Sequence, residues 1–172
     1  TLADLIDQKK APLLGDVRDE SADDIRLVLD PRARTVEPEV LMDGAHSLER
    51  CAEVTAQVLR EVYAELARQH VTLEATLLKP NMVLPGTLSP ETGTIEDHVV
   101  AERTVAVLRD TVPASVPGIV FLSGGQSPQE ATARLDALNR LPAPQPWQLS
   151  FSYGRALQAP VLDAWHGEPA NV

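Results

Sequence analysis

Cysteine is nearly missing from this 172-residue sequence, where Cys51 stands alone. No disulfide can form within the chain and no thiolate cluster exists for zinc, which fits a reducing, cytoplasmic setting. Basic residues are also in short supply, 15 Lys and Arg against 25 Asp and Glu, for a net charge of −10. Such a surface repels nucleic acid and anionic lipid, so neither is expected as a partner. No run of about 18 apolar residues occurs. The opening TLADLIDQKK lacks the cationic start and long apolar stretch of a secretory signal, and a soluble, cytoplasmic protein is expected. The four histidines, His46, His70, His98 and His166, are scattered without metal-ligand spacing, so no metal is expected.

What is present suffices for one core. With 44% hydrophobic residues the chain reads as a single α/β domain over 1–172, yet it falls short of the roughly 250 residues of an eight-unit α/β barrel. From Ser47 to His70, Leu48, Cys51, Ala52, Thr55, Val58, Leu59, Val62, Tyr63 and Leu66 keep a helical period, with Ser47 as the cap. VTLEATLL (71–78) reads as a strand buried on both sides and stopped by Pro80. The loop NMVLPGTLSPETG and a helix from Ile95 to Asp110 follow, broken by TVPASVPG. GIVFL (118–122) is a strand leading into the glycine turn SGGQ.

Ser127, Pro128 and Glu130 then form a helix start with a capping box, for a helix running to about Arg140. The proline-rich LPAPQP connects to the strand WQLSFSYG (147–154), and a last helix spans Ala156 to Trp165. Residues 1–35 are harder to read: TLADLIDQKK suggests a short helix and DESADDIRLVLD a strand. No internal repeat is visible. Alternating helices and strands with short connectors predict a parallel sheet.

Four polar clusters fall at the C-terminal ends of the strand candidates: VEPE (36–39), LLKP (77–80), FLSGG (121–125) and FSYGR (151–155). That edge of a parallel sheet or barrel is where ligands bind, so the four are expected to face one pocket. Lys79 ends an apolar run. It is either a strand-end lysine whose head snorkels to water or an amine desolvated enough to attack carbonyls. Ser123, the N–H groups of Gly124 and Gly125, Gly154 and Arg155 form a candidate phosphate cradle, and Glu37 and Glu39 are candidate proton carriers for the amine. Taken singly, each has a plainer alternative: a turn, a surface charge, a solvated face.

EPEVLMDGAHSLERC, TLLKPNMVLPG, GIVFLSGGQSPQEATARLDALN and WQLSFSYGRALQAPVLDAW closely resemble class I fructose-bisphosphate aldolase, the Schiff-base type, from about Val36 to Trp165. The resemblance implies a (β/α)8 TIM barrel, present here mainly as its C-terminal half (36–165). It also implies reversible cleavage of fructose 1,6-bisphosphate to dihydroxyacetone phosphate and glyceraldehyde 3-phosphate, as in glycolysis, without a cofactor. Lys79 matches the family's imine-forming lysine, Glu37 its acid/base residue and Glu39 the supporting one. Ser123, Gly124, Gly154 and Arg155 match residues holding a substrate phosphate, and Ser152 is a further candidate for that site.

Three departures accompany this match. The first strands of the family's barrel are missing. LVLDP (27–31) has Asp30 where a family strand carries an active-site lysine, and DES (19–21) is only a short echo of the motif holding a catalytic aspartate, too short to assign Asp19. A half-barrel leaves sheet edges open, so the chain is expected to be a homo-oligomer, two copies in principle completing eight strands. The alternative function is a truncated, non-catalytic sugar-phosphate-binding or assembly remnant.

Overall fold

The computed structural model describes the backbone of residues 17–18, 24–30 and 35–171, and side chains from residue 35 onward. The expected helix in TLADLIDQKK and the DES motif with Asp19 lie outside the described residues. Six strands form one sheet in chain order: β1 Val17–Arg18, β2 Asp24–Asp30, β3 Thr35–Val40, β4 Leu77–Leu78, β5 Gly118–Phe121 and β6 Gln148–Phe151. From β3 to β6 all pairings are parallel. Their connections carry helices α1 (Leu48–Arg68), α2 (Asp97–Thr111) and α3 (Pro128–Asn139), and α4 (Arg155–Trp165) follows β6.

Side chains alternate across a strand, so one face of this sheet is committed to the helices. Val36, Pro38 and Val40 of β3, Leu78 of β4, and Ile119 and Phe121 of β5 are buried. They join a core completed by Cys51, Leu59, Val62 and Leu66 of α1 and Val100, Val105 and Leu108 of α2. Glu37, Glu39, Leu77, Lys79 and Val120 occupy the opposite, more open face.

The caps read from the sequence are in place. Ser47 accepts the Arg50 N–H at 3.1 Å, with Glu49 in the first turn of α1 and Arg68 in its last. At α3 the Ser127 hydroxyl accepts the Glu130 N–H, while the Glu130 carboxylate accepts the Ser127 N–H.

Two expectations are corrected. Strand 71–78 is mostly a turn: Leu73–Ala75 forms a 3-10 helix, and only Leu77–Leu78 pairs. Both neighbouring strands supply the reason, because β3 begins at Thr35 and β5 at Gly118, each opposite Leu77. Upstream residues have no ladder to join. Thr76 instead turns back on Leu73, giving its carbonyl both the N–H and the hydroxyl.

The second correction concerns the start of the sheet. LVLDP lies in β2, which runs antiparallel to β3 and sets Asp30 opposite Thr35, at the beginning of β3. Asp30 therefore pairs with the first residue of β3 and does not end a strand parallel to it. The side of β3 away from β4 is taken by β2. The open edge of the parallel run is β6, and exposed Phe151, Leu157, Val161, Leu162 and Trp165 lie on β6 and α4.

Ser127→Ala should cost about 1 kcal/mol, the usual worth of a cap. Ser127 also holds the Glu130 carboxyl below its ordinary 4.5, chiefly through its hydroxyl, then its N–H, with Arg134 adding a smaller pull. A carboxyl depressed in the folded state contributes stability above its unfolded pKa, and that contribution is lost as pH falls through the folded value. The Tm difference between wild type and Ser127→Ala should therefore be full at neutral pH and shrink as pH drops below 4.5. An equal difference in acid would detach Glu130 from the cap.

Candidate active site

Lys79 follows β4 directly, and its backbone N–H donates to the Val36 carbonyl at 2.8 Å. Pro80 cannot extend the ladder, so the chain leaves the sheet here with the lysine side chain on the open face. Glu37, mid-strand in β3, points the same way. Lys79 Nζ donates to Glu37 Oε2 at 2.9 Å, with the two side chains 23% and 26% exposed. The VEPE pair thus lies within β3 rather than beyond its end, since the strand continues to Val40.

The neighbouring segments are fastened in the same manner. Leu122 N–H donates to the Pro80 carbonyl at 3.1 Å, and Ser152 N–H to the Phe121 carbonyl at 2.9 Å. These bonds align the exits of β4, β5 and β6 along one edge. After β5, Gly124 and Gly125 adopt φ of +55° and +88°, a turn that a residue with a Cβ enters only with strain. A methyl on Gly124 would sit 3.8 Å from Glu39 Oε1, so the glycine turn lies beside the second glutamate. Ser123 is buried beneath it, and its carbonyl accepts two bonds from Gln126.

The structure therefore brings Lys79, Glu37, Glu39 and the Gly124 turn together. Ser152, Gly154 and Arg155 occupy the exit of the adjacent β6 and are exposed. Gly154 is the N-cap of α4, its carbonyl accepting from Leu157 and Gln158. Arg155 opens that helix and makes no ion pair with another described residue. Tyr153, between them, is turned the other way. Its hydroxyl donates to the Ala131 carbonyl at 2.7 Å, and burial pushes its phenol up to about 12, which leaves it unsuited to proton transfer near neutrality.

Sequence reasoning missed Asn81, a buried side chain two residues beyond Lys79, whose Oδ1 accepts the Val40 N–H at 2.9 Å. The available signal was a carboxamide placed inside an otherwise apolar run, where each polar atom must find a partner. Among the described residues, no group of three or more His, Cys, Asp or Glu is placed to hold a metal ion.

Four parallel strands with interleaved helices and a lysine–carboxylate pair at their C-terminal edge define an α/β domain of the partial TIM-barrel kind. Comparison with known proteins agrees: residues 32–172 match the family model for fructose-bisphosphate aldolase class-I. The chain is similar to cytosolic fructose-bisphosphate aldolase 5 of Arabidopsis thaliana, 58% identical over 137 residues that make up 80% of this chain and 37% of that protein. It is 57% identical to human fructose-bisphosphate aldolase C, with the same coverage of each chain. A Plasmodium falciparum fructose-bisphosphate aldolase, solved in complex with TRAP and a small-molecule inhibitor, superposes with a TM-score of 0.74 at 52% identity, over 80% of this chain and 39% of that one. The chain belongs to the class I fructose-bisphosphate aldolase family, and the matched region spans 37% of the length of these curated relatives.

Gly124→Ala should lower stability by about 1–2 kcal/mol for the left-handed backbone alone. The added methyl would also stand 2.9 Å from Leu122 Cδ1 and force that side chain aside. A urea midpoint that does not move would mean that the turn had relaxed to another conformation.

Proposed function

We propose that this chain carries the Schiff-base half of a class I fructose-bisphosphate aldolase site, with Lys79 as nucleophile, Glu37 as its proton carrier and Glu39 in support. The 2.9 Å bond between Lys79 Nζ and Glu37 Oε2, at the C-terminal edge of a parallel sheet, is the observation that carries this reading. An ammonium has no lone pair, so Glu37 must first take a proton from Lys79. The free amine then adds to the ketone carbon of dihydroxyacetone phosphate or fructose 1,6-bisphosphate, and the carbonyl oxygen becomes a hydroxyl. Protonated by Glu37, that hydroxyl leaves as water and yields the iminium.

In the cleavage direction the iminium receives the electron pair of the breaking carbon–carbon bond. Glyceraldehyde 3-phosphate departs once its hydroxyl proton has been taken, and an enamine remains on Lys79. The lysine is its own electron sink, so neither a metal nor another cofactor enters the proposed chemistry. Ser123, Gly124, Gly125, Ser152, Gly154 and Arg155 form the proposed phosphate site on the exits of β5 and β6. The positive-φ glycines and the N-terminus of α4 can present N–H groups to a phosphate, and Arg155 has no described ion-pair partner to give up.

The substrate class is a phosphorylated sugar, and the process is glycolysis. A cytoplasmic location is supported by relatives named cytosolic; among the described residues, no helix is long and apolar enough to cross a membrane. Homo-oligomerisation is supported by the apolar residues exposed along β6 and α4. In this reading the 172-residue chain alone forms the imine slowly and cleaves the bisphosphate barely or not at all, because the family's other lysine and aspartate have no counterpart in the described site.

Two measurements test the proposal. Borohydride reduction in the presence of dihydroxyacetone phosphate should add mass to the peptide containing Lys79, and Lys79→Arg should abolish the adduct while the thermal melt is retained. Adducts confined to other lysines would refute the assignment. Separately, Arg155→Ala should weaken phosphate-dependent binding by about 1.5–3 kcal/mol, the worth of a charge-assisted hydrogen bond. An unchanged affinity would return Arg155 to the role of a surface charge.

A further inference from the structure

We propose that Asn81 is the positioning residue that holds the Lys79 amine against the Glu37 carboxylate. This rests on the reading of Lys79 as the nucleophile. The argument begins with the ladder between β3 and the chain leaving β4. Lys79 N–H reaches the Val36 carbonyl at 2.8 Å. In a regular parallel ladder the next rung would run from the N–H of residue 38 to the Lys79 carbonyl. Residue 38 is a proline and has no N–H to give. Two rungs further on, the N–H of Val40 would be due at the backbone carbonyl of residue 81. It goes instead to the side chain of Asn81, whose Oδ1 accepts it at 2.9 Å.

The carboxamide therefore replaces a rung of the sheet just beyond the point where Pro38 breaks it. Its other end is anchored: Nδ2 donates to the Met82 carbonyl at 2.9 Å and lies 3.5 Å from Thr55 Oγ1 and 3.9 Å from Cys51 Sγ, both on α1. A backbone donor on one side and a backbone acceptor on the other allow only one orientation of the amide. Glu37 and Glu39 are thus bracketed by the Lys79–Val36 bond before them and the Val40–Asn81 bond after them. Without the second clamp, nothing fastens β3 to this chain beyond the Lys79–Val36 bond, the last rung of a ladder that ends before either glutamate, and the 2.9 Å proton path is less firmly aligned.

The test compares Asn81→Leu and Asn81→Ser, which leave the Val40 N–H without its acceptor, with Asn81→Asp, which keeps an oxygen in place. The readout is the rate of borohydride-trapped adduct at Lys79 against dihydroxyacetone phosphate concentration, taken below the melting transition of each variant. The maximal rate should fall about ten- to hundredfold in Asn81→Leu and Asn81→Ser, as misplacement of reacting groups does, while the half-saturating concentration stays nearly constant. Asn81→Asp, which keeps the acceptor for Val40 but sets a carboxylate oxygen against the Met82 carbonyl, should fall between wild type and these two variants. A wild-type chain that traps nothing at Lys79 would defeat the nucleophile assignment itself. Wild-type trapping matched by folded Asn81→Leu or Asn81→Ser would overturn the positioning role alone, and so would loss of the native melt in both, which would make Asn81 a folding residue.

Discussion

The period-two alternation of β3 sends Val36, Pro38 and Val40 to the helix-covered face, which leaves Glu37 and Glu39 only the opposite one. Everything at the site depends on this division. β4 contributes Leu78 to the dry side, while Lys79, just past its end, faces the open side, and parallel pairing at Val36–Leu78 brings lysine and glutamate level. A shift of one residue in that pairing would bury the charges and expose the core residues. The apolar face thus enforces the polar one, and the register is protected by the cost of slipping.

The Lys79–Glu37 pair contributes little to holding this arrangement together. Partly exposed ion pairs are worth roughly 0–1 kcal/mol, and about a quarter of each side chain is exposed. Stability comes from the core shared by the sheet, α1 and α2, and from backbone bonds that continue beyond the short strands. Lys79 to Val36, Leu122 to Pro80 and Ser152 to Phe121 extend the sheet past the ends of β4, β5 and β6. Pro80 takes part through its carbonyl although it has no N–H. The proline after the lysine thus stops one ladder while accepting from the next strand's exit.

Buried polar side chains mend the gaps. Val83 N–H donates to Thr104 Oγ1 at 3.0 Å, Leu84 N–H to Cys51 Sγ at 3.4 Å, and Val40 N–H to Asn81. The segment 80–86 has no secondary structure yet is buried throughout, so its backbone groups need partners from outside a regular ladder, and helix side chains supply them at Val83 and Leu84. Gly86 follows the same logic of close approach: a Cβ there would collide with the Gly44 carbonyl oxygen.

By itself the sequence determined whatever is decided within a few residues: the caps at Ser47 and Ser127, the helical periods of α1 to α3, the glycine turn at Gly124 and Gly125, and the polar exits of successive strands. The long aldolase-like motifs made the family legible as well. Only the tertiary structure decided that β4 shrinks to Leu77–Leu78, that β2 runs against β3, and that Asn81 substitutes for a rung of the sheet. Each of these depends on what a neighbouring strand offers at a given register. The Lys79–Glu37 bond joins residues 42 apart in the chain, and no local propensity fixes such a distance; it follows from strands aligned by the burial of their other face.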